Sequence, residues 1–230
     1  MIWKKVTKHM MYEQLKWAAI YFLVITLIHI GLAILSTIYA FERDDFITFS
    51  HSSVTIFMLT LGILSAYSFM PRLIQNGVTR KDYFMGGSVS AVGLTVVLTF
   101  AALVMTFLDY SLVKPEAVHS LLGEFSGNWT AVTLYYSISS LIMYYIGWFI
   151  SIGYYRYGWV IGFVFIGISF ILIGLNDHIW EVEFLKGAAK WLPFNVDNPS
   201  IAFSLISSVI LFIILLTSIR SITRRIRIKM

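Results

Sequence analysis

The sequence contains no cysteine, and only 13% of its residues are charged. The first absence excludes disulfides, thiolate metal sites and a cysteine nucleophile. The second sets the chain apart from soluble domains, which carry roughly 25% charged residues. Catalytic signatures are missing too. No G-x-x-x-x-G-K-[ST] phosphate loop occurs, so the chain brings no ATPase motif of its own. Neither H-E-x-x-H, G-x-S-x-G nor a paired-glutamate helix motif is found, which removes the usual membrane hydrolases. Glu181 and Glu183 lie two apart in a connection and read as solvated acids. An intramembrane enzyme therefore lacks a constellation to work with.

What is present is apolar. Hydrophobic residues make up 58% of the 230, and the mean hydropathy is +0.80. A membrane span needs about 20 residues without charge to cross ~30 Å of hydrocarbon. Six stretches meet this: 17–40, 52–69, 83–107, 129–154, 157–175 and 199–219, none holding an Asp, Glu, Lys or Arg. The expectation is an all-α integral membrane protein in one transmembrane domain, 1–230. The start of the chain is basic and leads into an apolar run longer than a signal-peptide core. It lacks a clear cleavage site and reads as a retained first helix.

Orientation follows from lysine and arginine, because basic connections stay cytoplasmic. With the amino terminus inside, the cytoplasmic segments hold Lys4, Lys5, Lys8, Lys16, Arg72, Arg80, Lys81, Arg156, Arg220, Arg224, Arg225, Arg227 and Lys229 of the 17 basic residues. Only Arg43, Lys114, Lys186 and Lys190 fall on the other side, while ten of the 12 acids do. Both ends are thus expected in the cytoplasm. The net charge of +5 is a topology and lipid-headgroup signal, and it makes no case for nucleic acid. Residues 1–16 alternate apolar and basic positions, which suits an amphipathic helix lying in the cytoplasmic interface. The alternative is a basic tail that only enforces topology.

The connection 70–82 has legible local physics. Pro71 suits the first turn of a helix, where its missing N–H has no partner to lose. Leu73 and Ile74 follow, and then Asn76-Gly77, where glycine can take the left-handed conformation that closes a helix. Thr79 with Asp82 three residues on resembles a capping box opening the third span. The expected element is a short helix across the cytoplasmic face, presenting Arg72, Arg80 and Lys81.

The run Asn76-Gly77-Val78-Thr79-Arg80-Lys81-Asp82-Tyr83-Phe84 resembles the first cytoplasmic loop of the ABC-2 type permeases, the membrane subunits of ATP-binding-cassette transporters. The size, six spans and long outer segment before the last span are similar to small Gram-positive exporters of amphipathic peptides. The resemblance implies an ABC-2 (type V exporter-like) permease fold in a bacterial cell membrane. It implies a coupling helix made by Pro71, Arg72, Leu73, Gln75, Asn76, Gly77, Thr79, Arg80, Lys81 and Asp82. It also implies two kinds of partner besides the lipid bilayer: a separate ATP-binding cassette subunit that binds ATP and Mg, and a second permease copy or paralogue. The chain itself would carry no cofactor and no metal, and would not be an enzyme. Its cargo would be hydrophobic or amphipathic, such as a peptide toxin, an antimicrobial peptide or a drug-like lipid.

The outer segment 176–198 is rich in apolar and aromatic residues. Trp180, Phe184, Trp191 and Phe194 are the outer-gate candidates in the ABC-2 reading; the alternative is an interfacial loop held by tryptophan anchors. Inside the spans the ionisable group is His29, without a carboxylate partner in the spans. That absence weighs against ion coupling and leaves His29 as an interhelical hydrogen bonder or a pathway residue. Tyr135, Tyr136, Tyr144 and Tyr145 lie at membrane depth, where a hydroxyl wants a partner or a watery path. They are pathway-lining candidates, with helix packing as the other explanation. A non-transporting immunity factor, sensor or scaffold explains the six spans equally well, but not the form of the 70–82 connection.

Overall fold

A computed structural model describes residues 1–112, 121, 125, 127–180 and 200–224. Six helices are long and apolar enough to cross a membrane, consistent with a multi-pass membrane protein. They are α1 (Ile2–Tyr39), α2 (Phe46–Gln75), α3 (Arg80–Leu112), α4 (Trp129–Tyr157), α5 (Trp159–Trp180) and α6 (Ile201–Arg224). The expected outer-gate residues Phe184, Trp191 and Phe194 lie outside the described residues, as do Arg225, Arg227 and Lys229.

The bundle is built around α4, which packs against α2, α3, α5 and α6, while α1 packs chiefly on α3. In their most apolar windows, 78% of α4 is buried but only 17% of α1. Residues such as Leu23, Leu27 and Ile34 of α1, or Phe163 and Phe170 of α5, are exposed on the outside of the bundle. That distribution inverts the soluble pattern and suits a lipid surround, where apolar side chains need no cover.

Helix α1 runs 38 residues without a break, about 57 Å at 1.5 Å per residue. Residues 1–16, expected as a separate interfacial helix, are instead its first turns. Between Ile2 and Ile30 there is neither glycine nor proline to stop it. Val6, Met10, Gln14 and Ala18, spaced by four, form a buried face. That face seats on α3, where a Cβ at Gly86 would run into Val6. One face of this segment is thus packed on protein, while Lys4, Lys5 and Lys8 are exposed.

Helix α2 exceeds the expected 52–69 at both ends. It starts at Phe46, capped by Asp45, whose carboxylate accepts the Thr48 N–H at 3.0 Å. Its far end passes through a π turn at Ser65–Phe69 and continues as Met70–Gln75. The short helix expected within the connection 70–82 is therefore a prolongation of the span. Proline at 71 removes a backbone donor that an α-helix would use, and the wider π turn stands directly before it.

The α2–α4 contact is backbone on backbone. A Cβ at Gly62 would collide with the Tyr144 carbonyl, and one at Gly147 with the Leu59 carbonyl. The α4–α5 hairpin turns at Gly158 (φ 86°), and reciprocal glycines admit rings there: Phe165 against Gly153, Tyr154 against Gly162. Asn128 caps α4 by accepting the N–H groups of Thr130 and Ala131.

Candidate functional site

The turn between α2 and α3 has the geometry that its sequence dictates. Gly77 sits at φ 82°. Its N–H donates to Ile74 O at 3.0 Å and that of Val78 to Leu73 O at 3.1 Å, the paired bonds of a Schellman ending. Two residues later Thr79 Oγ1 accepts the Asp82 N–H at 3.1 Å, and its hydroxyl donates to Asp82 Oδ2 at 2.7 Å. A helix stop and a helix start thus meet within four residues. Arg72, Gln75, Asn76, Gly77, Thr79, Arg80 and Lys81 are exposed, Pro71 and Asp82 are half-buried, and Leu73 is buried as the anchor. The turn is tied at both ends and presents three cations.

Behind it lies a buried polar network that crosses four helices. Ser90 Oγ donates to Gln14 Oε1 at 3.0 Å. Gln14 Nε2 donates to Tyr144 Oη at 2.8 Å, and Tyr144 Oη donates to Ser65 Oγ at 3.1 Å. Ser65 is the first residue of the π turn, and its carbonyl accepts both the Met70 N–H and the Tyr83 hydroxyl, the latter at 2.8 Å. Buried polar groups of this kind fix one arrangement only when all are satisfied. Gln14 and Ser65 carry no motif, but a glutamine inside the apolar series Val6, Met10, Ala18 is a readable sign of a buried partner.

The four membrane-depth tyrosines are all fully buried within this single chain. Tyr144 belongs to the network above. Tyr136 shares a hydrogen bond of 3.1 Å with Ser50. Tyr135 stacks on His51 with ring centroids 4.8 Å apart. Tyr145 meets Phe212 edge-on at 4.9 Å. Trp180, the described outer-gate candidate, is buried and donates its indole N–H to Ser208 Oγ at 2.8 Å, joining α5 to α6.

At the opposite end His29 has a carboxylate neighbour that lies just outside the expected spans. Asp109, just past the apolar run of α3, takes both guanidinium nitrogens of Arg43 at 2.8 and 3.1 Å. His29 Nε2 lies 3.0 Å from Asp109 Oδ2 and 3.1 Å from Arg43 Nη1. It donates to the first when protonated and accepts from the second when not. The side chains of Arg43 and Asp109 are only 6% and 9% exposed, so this pair is largely out of water. His29 and Asp109 stand at the head of an apolar groove of about 340 Å³ between α1 and α3. Beside them Tyr110 donates to Asp45 Oδ2 at 3.2 Å, tying α3 to the cap of α2.

Among the described residues no group of three or more His, Cys, Asp or Glu could hold a metal ion. The geometry thus offers a basic, rigidly closed turn backed by a polar network at one end, and a buried ion cluster at the other. No family model, curated protein or solved structure matches this chain.

Proposed function

We propose that this chain is the membrane-spanning permease subunit of an ATP-binding-cassette exporter of the ABC-2 type. In this reading both ends lie in the cytoplasm of a bacterial cell, and the turn at 76–79 docks a separate ATPase subunit that binds ATP and Mg. The observation that carries it is the turn itself. A Schellman ending and a Thr79–Asp82 helix cap, back to back, close the turn that presents Arg72, Arg80 and Lys81, on the side of the bundle where lysine and arginine are concentrated. A loop that merely joins two spans needs no such double closure. The Ser65–Tyr83 and Ser65–Tyr144 bonds give movement of the turn a mechanical route into α3 and α4. Cargo is taken to be hydrophobic or amphipathic, and a second permease copy or paralogue completes the path.

One observation favours a second reading. Tyr135, Tyr136, Tyr144 and Tyr145 fill the interior of the single chain rather than lining an opening. A transporter of this kind must then place its path between two permeases, whereas an immunity factor, sensor or scaffold needs no path.

The test is purification in mild detergent from the native membrane, with mass spectrometry of what accompanies the chain. A stoichiometric soluble subunit with a G-x-x-x-x-G-K-[ST] loop supports the transporter reading, and its loss on replacing Arg80 and Lys81 by alanine supports the docking role. A chain that emerges without any nucleotide-binding partner overturns the proposal and leaves the second reading.

A further inference from the structure

Alongside the 76–79 turn, where α2 ends, α3 begins and α6 ends, lies a cavity of about 400 Å³. Arg80 and Lys81 line it from α3, Arg220 and Arg224 from α6, with Ile74 and Val78 as an apolar floor. Among the described residues none of these four cations has a carboxylate within ion-pair distance. Asp82, the acid closest in sequence, is held by the Thr79 hydroxyl. Among the described residues Arg220 is steadied by neutral groups. Its guanidinium stands 5.3 Å over the Phe84 ring, and Nη1 reaches the Arg80 carbonyl at 3.5 Å. Four positive charges thus converge on one hollow with no carboxylate among the described residues to pair them.

We propose that this cavity binds the phosphate headgroup of an anionic phospholipid. Charge alone would accept any phosphate or an acidic protein surface. The choice of lipid rests on what continues from the cavity. On α6 the exposed residues Ile206, Ile210 and Ile213 follow at spacings of three and four, which is one helix face. The same spacing continues through Thr217 to Arg220 and Arg224. A phosphate in the cavity would lay its acyl chains along that apolar stripe. Basic pockets between helices at a membrane surface take such headgroups by the same physics. The lipid would bridge α6 to the turn, so the packing of this corner depends on the leaflet around it. The inference needs only the six-helix membrane placement and stands without the transporter reading.

The test is native mass spectrometry of the purified chain in neutral detergent, with phosphatidylglycerol and phosphatidylcholine supplied together. The wild type is expected to retain phosphatidylglycerol preferentially. Each basic side chain at an anionic lipid surface is worth about fivefold in affinity, so Arg220→Gln with Arg224→Gln should weaken retention about thirtyfold. The pair Arg220→Lys and Arg224→Lys keeps both charges and should keep the preference. Arg224 is exposed, so Arg224→Gln alone leaves the core untouched and should still cost about fivefold. Equal retention of the two lipids by the wild type overturns the proposal, as does undiminished retention in the glutamine variants. Displacement of phosphatidylglycerol by excess inorganic phosphate would identify a free-anion site and also overturns it. These variants leave Arg80 and Lys81 in place, so a failure here is distinct from a failure of ATPase docking.

Discussion

Tyr144 in the middle of α4 and Ser65 at the π turn of α2 meet hydroxyl to hydroxyl at 3.1 Å, both fully buried. The phenol also accepts from Gln14, so Tyr144→Phe leaves two polar groups of other helices without this partner. Interhelical hydrogen bonds in membrane proteins average about 0.6 kcal/mol and reach about 1.7. Losing two should lower stability by about 1–2 kcal/mol, read as a lower unfolding midpoint in detergent. A midpoint equal to the wild type's would mean that packing alone holds this junction.

The glycines at the α2–α4 crossing should tolerate nothing larger. Gly62→Ala and Gly147→Ala each drive a methyl group into a carbonyl of the facing helix. Overpacking a tight contact costs about 1–3 kcal/mol where neighbours can shift, and backbone shifts less readily than a side chain. Both variants are expected to lose the monodisperse peak in size-exclusion chromatography. Gly167→Ala, with nothing within 4 Å of the added carbon, is the control and should behave as wild type.

How much of this was legible varies with the range of the interaction. The six apolar runs and the Gly77 and Thr79–Asp82 closures are local, and each rests on the chemistry of neighbouring residues. The length of α1 was not legible, because alternating basic and apolar residues suit a lipid surface and a protein groove equally well. Only the presence of Gly86 on another helix decides between them. The start of α2 was hidden by Ser50 and His51, polar residues whose partners lie on α4. Asp109 was missed for a related reason: it falls just outside its apolar run, and its pairing with Arg43 spans 66 residues. Phe184, Trp191 and Phe194 fall outside the described residues, so the outer-gate reading rests on sequence for all but Trp180.

The Arg43–Asp109 pair should be strongly non-additive. Asp109→Asn takes the two-oxygen carboxylate contact away from the Arg43 guanidinium, and breaking a buried pair costs about 3–5 kcal/mol. Arg43→Met alone leaves the Asp109 carboxylate with the His29 ring beside it and without the guanidinium, and should also destabilise. The double variant removes both charges and is expected to be more stable than either single one, a coupling that a double-mutant cycle measures directly. Simple additivity of the two losses would show that the pair is solvated.

The shape and the charge of the α2–α3 turn are separable. Gly77 occupies φ 82°, where a side chain costs roughly 1–2 kcal/mol, so Gly77→Ala should loosen the Schellman ending. Hydrogen–deuterium exchange at the amides of Gly77 and Val78 is then expected to quicken, with the bundle interior unaffected. Arg80→Ala with Lys81→Ala removes two exposed cations and touches none of those bonds, so exchange there should stay at the wild-type rate. If a nucleotide-binding subunit docks on this surface, both variants lose it, one through geometry and the other through charge. Loss in the charge variant alone would mean that the partner reads only the cations. Retention in both would remove the turn from the interface, whatever the partner proves to be.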